Sequence, residues 1–335
     1  MRQCGDLMLS AADLELSYGK RNPWAFTHRP QAATRAVDKV SLTIGQGETV
    51  GIVGESGSGK SSLGRLLIGA VKPSRGRICF RGDDINAVPV GRWRQLRADL
   101  QLVFQNAGAS FNPRRTVGDH FDETVALCRK ASARESLAPS AALAMVGLPR
   151  EALGKFIFQL SGGQQQRAAI ARAIISRPQF VVCDEIVSAL DLSVQAQILN
   201  LLQELRRERQ LSYLFISHDL DVVRILSHRI AVMYRGRIVE EGDRDAVFSR
   251  PAHPYTRLLM SAALKARGTA AGSAPAAGGT RYGSSASDRG CAFAARCALA
   301  GDRCRQSAPS LSGAASHRVA CFAHSSGEAN DRAHH

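Results

Sequence analysis

The amino-acid sequence predicts an α/β fold with a largely parallel sheet. Short apolar runs alternate with helical patterns, a glycine-rich loop separates one apolar run from a helix, and two adjacent acidic residues end another run. Alternating strands and helices are typical of parallel sheets joined by crossover helices. The loop and the acids are expected at the carboxyl edge of that sheet, where ligands bind in such folds.

The apolar runs that predict strands fall into two groups. They are LELSY near residue 16 and the ranges 40–44, 49–54, 77–80, 180–183, 213–217 and 229–234. Between the two groups, from about 90 to 175, the pattern is mainly helical and more polar. This pattern predicts a helical subdomain inserted into the α/β domain. A further helix is predicted from Lys60 to about Ala70, directly after the run 49–54.

The composition of the chain changes after Leu264. Residues 266–289 are rich in Gly, Ala and Ser and have no apolar period, which predicts a flexible linker. A cysteine-containing segment follows at 290–324, and we expect the polar residues 325–335 to form a disordered tail. The sequence contains no internal repeat.

Size and charge exclude some classes of protein but do not identify the function. The 335 residues include 44% hydrophobic residues, ample for a core, and carry a formal net charge of +15. A basic balance attracts nucleic acid or an anionic membrane surface, or merely keeps a protein soluble. No run approaches the about 18 apolar residues that suggest a membrane span, and the start lacks a secretory signal pattern. We therefore expect a cytosolic chain whose eight cysteines are reduced.

The glycine-rich loop has the pattern of a phosphate-binding loop. It fits G-x-x-x-x-G-K-[ST] and consists of Gly54, Glu55, Ser56, Gly57, Ser58, Gly59, Lys60 and Ser61, with Ser62 next in the helix. Glycines let the backbone curl so that N–H groups point at phosphate oxygens, and the helix N-terminus adds partial positive charge. Lys60 can reach the β- and γ-phosphates of a nucleotide, and Ser61 can ligate Mg²⁺.

Two adjacent acids, Asp184 and Glu185, follow the apolar run 180–183. A buried strand delivers its terminal carboxylates to the sheet edge at which the phosphate loop is also expected. Asp184 would then hold Mg²⁺, directly or through water, and Glu185 would polarise the attacking water. Two acids after a strand often form only a solvated turn, but the phosphate loop favours the catalytic interpretation.

A third motif carries a family resemblance. Residues 160–167 read LSGGQQQR and lie shortly before the acidic strand. Ser161 is a good helix N-cap, Gly162 and Gly163 allow close backbone approach, and the helix containing Gln164 would direct its N-terminal dipole at an anion. The segment resembles the signature of ABC-type ATPases. The resemblance implies that two such domains pack head to tail, so that each ATP lies between the phosphate loop of one and the signature of the other.

Further landmarks of that family concern ATP binding. Tyr18, upstream of the phosphate loop, matches the position of an aromatic ring that stacks on adenine, with Trp24 and Phe26 as rival candidates. Ser188 to Asp191 reads SALD and matches the D-loop. The resemblance therefore implies that Asp191 lies close to the nucleotide.

Two more landmarks concern hydrolysis. Gln105 ends the run LVFQ and matches the Q-loop glutamine, which the resemblance implies senses Mg²⁺ and water. His218 in FISHD matches the switch histidine, which contacts the γ-phosphate. With Glu185 these residues are the implied catalytic set.

Three segments narrow the resemblance to one subgroup. Residues 102–117, LVFQNAGASFNPRRTV, resemble the Q-loop of peptide importers, and residues 251–257, PAHPYTR, resemble their HPYT segment. The tail from Gly290 resembles their C-terminal cysteine module. Over nearly its whole length the chain therefore resembles an ATP-binding subunit of the oligopeptide/dipeptide and nickel importer family.

The chain also departs from that pattern. Ile186 follows Glu185 where the family usually has proline, and Asn106 and Ala107 stand in place of Asp-Pro. Losing a proline removes a fixed φ from a turn, so we expect the turn that carries Glu185 to have more conformational freedom than in the family. Because the carboxylate is retained, we still expect hydrolysis.

The resemblance implies an architecture and a set of partners. The fold would be a P-loop ABC ATPase with a RecA-like core, an N-terminal antiparallel β subdomain, the inserted helical subdomain and a small C-terminal cysteine module, with 1–265 as the ATPase domain. ATP and Mg²⁺ would be its cofactors. It would pair head to tail with a sister ATPase subunit or with itself. It would also contact two transmembrane permease subunits at the cytoplasmic face of the inner membrane, and serve an extracytoplasmic substrate-binding protein indirectly.

Two other functions compete with peptide import. A non-transport ABC ATPase acting on nucleic acid or ribosomes would suit the charge, but such proteins usually carry two cassettes or a long coiled coil, so no nucleic-acid partner is expected. A nucleotide-binding regulator without turnover is disfavoured by Glu185 and His218. Because peptide, nickel, sugar and opine systems share this subunit type, the sequence does not name the cargo.

Four of the cysteines lie in the tail. They are Cys291, Cys297, Cys304 and Cys321, with the spacing C-x5-C-x6-C-x16-C. The paired C-x2-C knuckles of zinc ribbons are absent from this spacing. Four thiolates can hold a [4Fe–4S] cluster, and the resembling importer module is linked with such a cluster in some members. A cluster, four free thiols in a packed module and a zinc site therefore remain open.

Overall fold

The computed structural model describes residues 7–19, 34–131, 135–266 and 290–324. Trp24, Phe26, residues 267–289 of the predicted linker and the predicted tail 325–335 lie outside the described residues. In the part of the chain that is described, no helix combines the length and the apolar content needed to cross a bilayer.

A four-stranded antiparallel sheet forms the N-terminal part of the molecule. Its strands are β1 (Leu7–Tyr18), β2 (Thr34–Gly45), β4 (Arg75–Phe80) and β5 (Asp83–Asp84). They lie in the order β2-β1-β4-β5. β1 alternates buried and exposed side chains over much of its length, as expected for a sheet with one face on the core.

An eight-stranded sheet forms the centre. Its strands are β3 (Thr49–Val53), β6 (Leu100–Val103), β7 (Phe180–Asp184), β8 (Ser212–Ile216), β9 (Arg229–Tyr234), β10 (Arg237–Asp243), β11 (Ser312–Ala314) and β12 (His317–Val319). The order is β11-β12-β10-β9-β3-β8-β7-β6. The pairs from β9 to β6 are parallel, and β10, β12 and β11 continue the sheet antiparallel. The strands β3, β7 and β8 are buried throughout, as in a parallel sheet covered on both faces.

Ten helices occur in the described residues. They are α1 (Lys60–Leu67), α2 (Val90–Asp99), α3 (Val117–Ala131), α4 (Pro139–Met145), α5 (Gly162–Ile174), α6 (Leu192–Arg209), α7 (Leu220–Leu226), α8 (Arg244–Ser249), α9 (Pro254–Ala266) and α10 (Asp302–Gln306). Short 3-10 turns occupy Gly108–Ser110, Arg150–Gly154, Ile157–Gln159 and Ala294–Arg296.

Two apolar cores cover the two faces of the central sheet. The first joins the antiparallel sheet, α1 and one face of the central strands, with fully buried members such as Leu9, Leu66, Phe80 and Leu214. The second joins the opposite face to the helical region and the C-terminal segment, with buried members such as Phe121, Ile170, Leu202 and Phe293. Together they fix the carboxyl edge of the central strands between two packed layers.

The C-terminal segment is joined to the central sheet. β12 pairs with β10 and places Val319 opposite Glu240. The buried carboxylate of Glu240 accepts hydrogen bonds from the backbone N–H groups of Ala252 and His253 at 2.9 and 2.8 Å. Its Oε1 also lies 2.7 Å from Nε2 of His317. One buried acid therefore ties together β10, the segment before α9 and the C-terminal hairpin.

The predicted α/β class is confirmed, and so is an N-terminal antiparallel sheet. The range 90–175 contains α2 to α5, but it also contains β6, which pairs in parallel with β7. The sequence did not predict β6, β10 or the β11–β12 hairpin. These strands are short or lie at the antiparallel edge, where pairing with a neighbour rather than local pattern decides their state.

Candidate active site

The glycine-rich loop curls between β3 and α1 at the carboxyl end of the central strand. Gly54, Gly57 and Gly59 all have positive φ. At Gly59, with φ of 103°, an added Cβ would meet the carbonyl oxygen of Ala36 at 2.1 Å, so the close backbone approach requires glycine there. Gly59 is also the N-cap of α1 and provides no side-chain acceptor. The first N–H groups of α1 therefore stay available for an anion.

Lys60 is buried within this loop. Its Nζ donates to the carbonyl oxygens of Gly54 and Glu55, each at 2.8 Å, and lies 3.4 Å from Oγ of Ser58. Burial lowers the pKa of Lys60, while the carboxylates of Glu185, Asp184 and Glu55 oppose that shift. A cationic amine is thus held where the loop would surround a phosphate.

Ser61 and Asp184 meet beside the loop. The hydroxyl of Ser61 donates to Oδ1 of Asp184 at 2.8 Å. Burial raises the pKa of Asp184, and the neighbouring charge of Glu185 adds to the shift, while the bond from Ser61 opposes it. A hydroxyl and a carboxylate oxygen are ligands that Mg²⁺ accepts alongside water and substrate phosphate oxygens. The pair therefore fits the predicted Mg²⁺ position.

Glu185 occupies a turn held in an uncommon conformation. Its φ is 50°, in the left-handed region, and its N–H donates to the carbonyl of Ile216 at 2.9 Å. Nδ1 of His218 lies 3.3 Å from Oε2 of Glu185, and the His218 side chain is 59% exposed. Such strain persists where the surroundings hold it, often at functional sites. A carboxylate and an imidazole are thus brought together within reach of one water molecule.

Gln105 is joined to this turn through a serine. Its Nε2 donates to Oγ of Ser188 at 3.2 Å, and Oγ of Ser188 donates to the carbonyl of Glu185 at 2.9 Å. Among the interactions of the described residues, none joins Gln105 directly to Ser61 or Asp184. The structure therefore links the Q-loop position to the turn of Glu185. Its role in sensing Mg²⁺ stays a prediction.

The signature segment begins α5. Ser161 accepts from the N–H of Gln164 at 3.4 Å and donates its own N–H to Oε1 of Gln164 at 3.1 Å, forming a capping box. Ser161 and Gly162 are exposed, whereas Gly163 packs against Val194. No hydrogen bond or ion pair of the described residues joins this segment to the phosphate loop of the same chain.

Asp191 and Tyr18, two further predicted site residues, lie at the start of α6 and at the end of β1. Asp191 caps α6, with Oδ1 accepting from the N–H of Val194 at 2.9 Å and from Ser193 Oγ at 2.8 Å. The bonds from Val194 and Ser193 lower the pKa of Asp191. Tyr18 ends β1 and is 49% exposed, and stacking on a flat base requires such an accessible ring.

Sequence reasoning assigned no role in the site to three residues that contact it, although Ser188 begins the D-loop match. Ser188 bridges Gln105 and the turn of Glu185. Tyr255 and Arg296 both contact Glu55 in the phosphate loop. The HPYT resemblance marked the position of Tyr255, but no pattern pointed to its contact with a loop that lies 200 residues earlier in the chain.

Comparison with known proteins decides the family. A family model described as "ABC transporter" matches residues 37–188, and one described as "Oligopeptide/dipeptide transporter, C-terminal region" matches residues 239–304. The oligopeptide transport ATP-binding protein OppF of Salmonella typhimurium is 39% identical over 94% of this chain and 96% of its own length. The chain belongs to the ABC transporter family of ATP-binding proteins. It is therefore an ATPase subunit that binds ATP with Mg²⁺. Proteins of this family work as pairs of ATP-binding cassettes beside membrane permeases.

A second relative and a solved structure support the same family. A putative peptide import ATP-binding protein of Brucella abortus is 45% identical over 88% of this chain and 89% of its own length. The solved dimeric ATP-binding cassette MJ0796, bound to ADP and Pi in a post-hydrolysis state, has a TM-score of 0.60 and 26% identity. It covers 71% of this chain and 99% of its own length.

Proposed function

We propose that this ABC ATPase subunit powers the import of di- or oligopeptides. The observation that carries the proposal is the meeting of Lys60, Ser61, Asp184, Glu185 and His218 at one edge of the central sheet. That set supplies the phosphate-binding, Mg²⁺-binding and water-orienting groups of one half of a nucleoside triphosphate site. Relatives named for peptide import, together with the matched C-terminal region, support peptides as the cargo.

ATP would lie against the phosphate loop. The N–H groups of the phosphate loop and of the start of α1, other than those of Glu55 and Ser58, would hold its phosphates together with the amine of Lys60. Tyr18 would stack on adenine. Mg²⁺, held by Ser61 and Asp184 with Gln105 nearby, would neutralise charge on the β- and γ-phosphates. The 2.8 Å contact between Ser61 and Asp184 supports this arrangement, because it brings both ligands together.

Hydrolysis would be assisted by Glu185 and His218. Glu185 would orient a water molecule through Oε2, and the water oxygen would bond to the γ-phosphorus while the bond to the β–γ bridging oxygen breaks. ADP leaves with that electron pair, and a water proton passes to solvent or to the γ-phosphate. His218, 3.3 Å from the same carboxylate oxygen, would donate to the γ-phosphate oxygens.

The second half of each site would come from a partner subunit. Exposed Ser161 and Gly162, with Gly163 and Gln164 beside them, present a helix N-terminus that makes no hydrogen bond or ion pair with its own phosphate loop among the described residues. Asp191 would face the same interface. A sister ATPase subunit or a second copy would supply the facing phosphate loop. The dimeric solved cassette supports the pairing of two such domains.

The proposed partners imply where in the cell the subunit would work. Two transmembrane permease subunits would receive the motion through the region after Gln105, and an extracytoplasmic binding protein would deliver peptide to them. The subunit would then work at the cytoplasmic face of the inner membrane. Within it, we assign 1–265 to the ATPase domain, with a helical subdomain near 90–175. We assign 266–289 to a linker, 290–324 to the cysteine module and 325–335 to the tail.

The four tail cysteines would act as one unit. Cys291, Cys297, Cys304 and Cys321 line a single cavity beside His253 and Phe293. Burial raises the pKa of the thiols of Cys291 and Cys297, and the other thiols add to the effect. Among the described residues, no three His, Cys, Asp or Glu side chains are arranged around one metal ion. Four cysteine thiols around one cavity are the ligand set of a [4Fe–4S] cluster, which is the alternative that we propose to test.

The cluster is tested by anaerobic purification followed by iron and zinc analysis and a visible absorption spectrum. We expect about four irons per chain and a brown protein. An iron-free, colourless protein with all four thiols titratable would exclude the cluster and leave the ATPase assignment intact.

Peptide import is tested in proteoliposomes. The subunit is reconstituted with its permeases and binding protein, and ATP hydrolysis is measured with and without peptides of two to eight residues. We expect peptide to stimulate ATP hydrolysis and to accumulate inside the proteoliposomes. Hydrolysis that responds to nucleic acid or ribosomes but not to peptide would contradict the proposal.

A further inference from the structure

Three groups hold one residue of the phosphate loop. Glu55 accepts two hydrogen bonds from the guanidinium of Arg296, Nη1 to Oε2 at 2.9 Å and Nη2 to Oε1 at 3.0 Å. Its N–H donates to the hydroxyl of Tyr255 at 2.8 Å, and its carbonyl accepts from Nζ of Lys60 at 2.8 Å. The side chain, the N–H and the carbonyl of Glu55 are thus all engaged, two of them by the C-terminal region.

The tyrosine is held rigidly. Tyr255 is fully buried at the start of α9. Its ring centroid lies 4.6 Å from that of Tyr234, at the end of β9, and 5.5 Å from that of Phe293. Because rings packed in this way cannot turn freely, the hydroxyl of Tyr255 is a fixed acceptor for the N–H of Glu55.

The arginine is held by the cysteine module. Phe293 and Arg296 lie in the loop bounded by Cys291 and Cys297, which we call the clamp loop. Phe293 is 2% exposed and packs on Tyr234 and Tyr255. The guanidinium of Arg296 lies 5.6 Å from the ring centroid of Phe293 and 5.9 Å from that of Tyr234. The rings of Tyr234, Tyr255 and Phe293, which we call the aromatic cluster, therefore orient Arg296 towards Glu55.

This arrangement does more than add stability. The Arg296 and Glu55 side chains are 30% and 39% exposed, and an ion pair so exposed contributes little to folding free energy. A bidentate pair does fix orientation. The glycine-rich loop has much conformational freedom to lose when it closes on phosphate, so holding Glu55 in advance reduces that entropic cost.

We infer that Arg296 and Tyr255 are positioning residues for the phosphate loop, and that the clamp loop acts on ATP through Glu55 and Lys60. The inference rests on the proposed ATP site. Disruption should loosen the carbonyl of Glu55 and with it the amine of Lys60. The affinity for ATP should then fall, while the chemistry at Glu185 stays intact once ATP is bound.

The test measures KM for ATP and kcat of the full-length subunit assembled with its permeases. Arg296→Met and Tyr255→Phe should each raise KM about threefold to tenfold and change kcat less than about twofold. Arg296→Met added to Glu55→Gln should cause no further change, because the two residues act through one contact. Arg296→Lys should restore part of the loss.

A matched control lies in the same module. The guanidinium of Arg303 lies 4.2 Å from the ring centroid of Phe322, and Arg303→Met should leave KM unchanged. A merely structural role would lower kcat through loss of active protein without moving KM, and that result would overturn the inference. So would a wild-type KM in Arg296→Met. If the wild-type assembly itself neither binds nor hydrolyses ATP, the proposed function fails instead.

Discussion

The hydroxyl of Ser61 donates a 2.8 Å hydrogen bond to Oδ1 of Asp184, although 123 positions separate the two residues in the chain. Ser61 lies in the first turn of α1, which follows β3, and Asp184 ends β7. β7 and β3 both pair with β8, so their carboxyl ends lie close together at the same sheet edge. The contact therefore follows from strand order, and it is where metal and nucleotide chemistry would meet.

Ser61→Ala should raise the Mg²⁺ concentration needed for half-maximal hydrolysis by about tenfold or more, because one oxygen ligand is lost. Since burial raises the pKa of Asp184, protons should compete with Mg²⁺ at a higher pH than for an ordinary aspartate. The Mg²⁺ requirement of the wild type should therefore increase as pH falls. Magnesium titrations of hydrolysis at several pH values measure both effects, and an unchanged requirement in Ser61→Ala would contradict them.

Ser161→Arg should abolish hydrolysis without weakening ATP binding to the phosphate loop of the same chain. The signature segment makes no hydrogen bond or ion pair with that loop among the described residues, so the added bulk would act only at the partner's nucleotide. Titration of the isolated subunit with a labelled nucleotide compares this variant with Lys60→Ala. An equal loss of affinity in both would rule out head-to-tail use of the signature.

Ile186→Pro should keep turnover at or above the wild-type rate. A fixed φ beside Glu185 narrows the conformations of the catalytic turn, and no hydrogen bond of the described residues has the N–H of Ile186 as donor. Ile186 is 1% exposed, so its lost packing should cost about 1–3 kcal/mol of unfolding free energy. Ile186→Ala is the control, with similar packing loss and no fixed φ. A turnover lost only in the proline variant would show that this turn excludes proline.

His253→Asn should flatten the acid dependence of stability. Burial lowers the pKa of His253 to about 4, against 6.5 in an unfolded chain. As pH falls from about 6.5 towards 4, the unfolded chain gains a proton that the folded one resists, so unfolding free energy falls by about 3 kcal/mol. Asparagine can accept the N–H of Tyr255 as Nδ1 of His253 does. Urea unfolding at several pH values measures this effect. If the unfolding free energy of both proteins depended equally on pH, the assignment would be refuted.

Much of the site was predictable because its chemistry restricts residue type and spacing. Lys60, Ser61, Asp184 and Glu185 follow buried strands, and the structure brings them to one sheet edge as expected. His218 likewise follows β8 and reaches Glu185. For these residues, local pattern and strand order were enough.

The remaining features depend on contacts between distant parts of the chain. The left-handed φ of Glu185 is fixed by its bond to Ile216 on the neighbouring strand. β12 has three residues and exists because β10 pairs with it. Arg296 reaches Glu55 across 241 positions through an aromatic cluster. No local period or motif encodes such pairings, so the sequence could not predict them.

The measurement closest to the central claim is hydrolysis by the assembled transporter carrying Glu185→Gln. The change removes the carboxylate that would orient water and keeps its shape. ATP binding should persist, the closed dimer should accumulate, and peptide-stimulated turnover should fall about 10²–10³-fold. Near-normal hydrolysis in this variant would contradict the account, because the water would then be activated by some group other than Glu185, which directly follows β7.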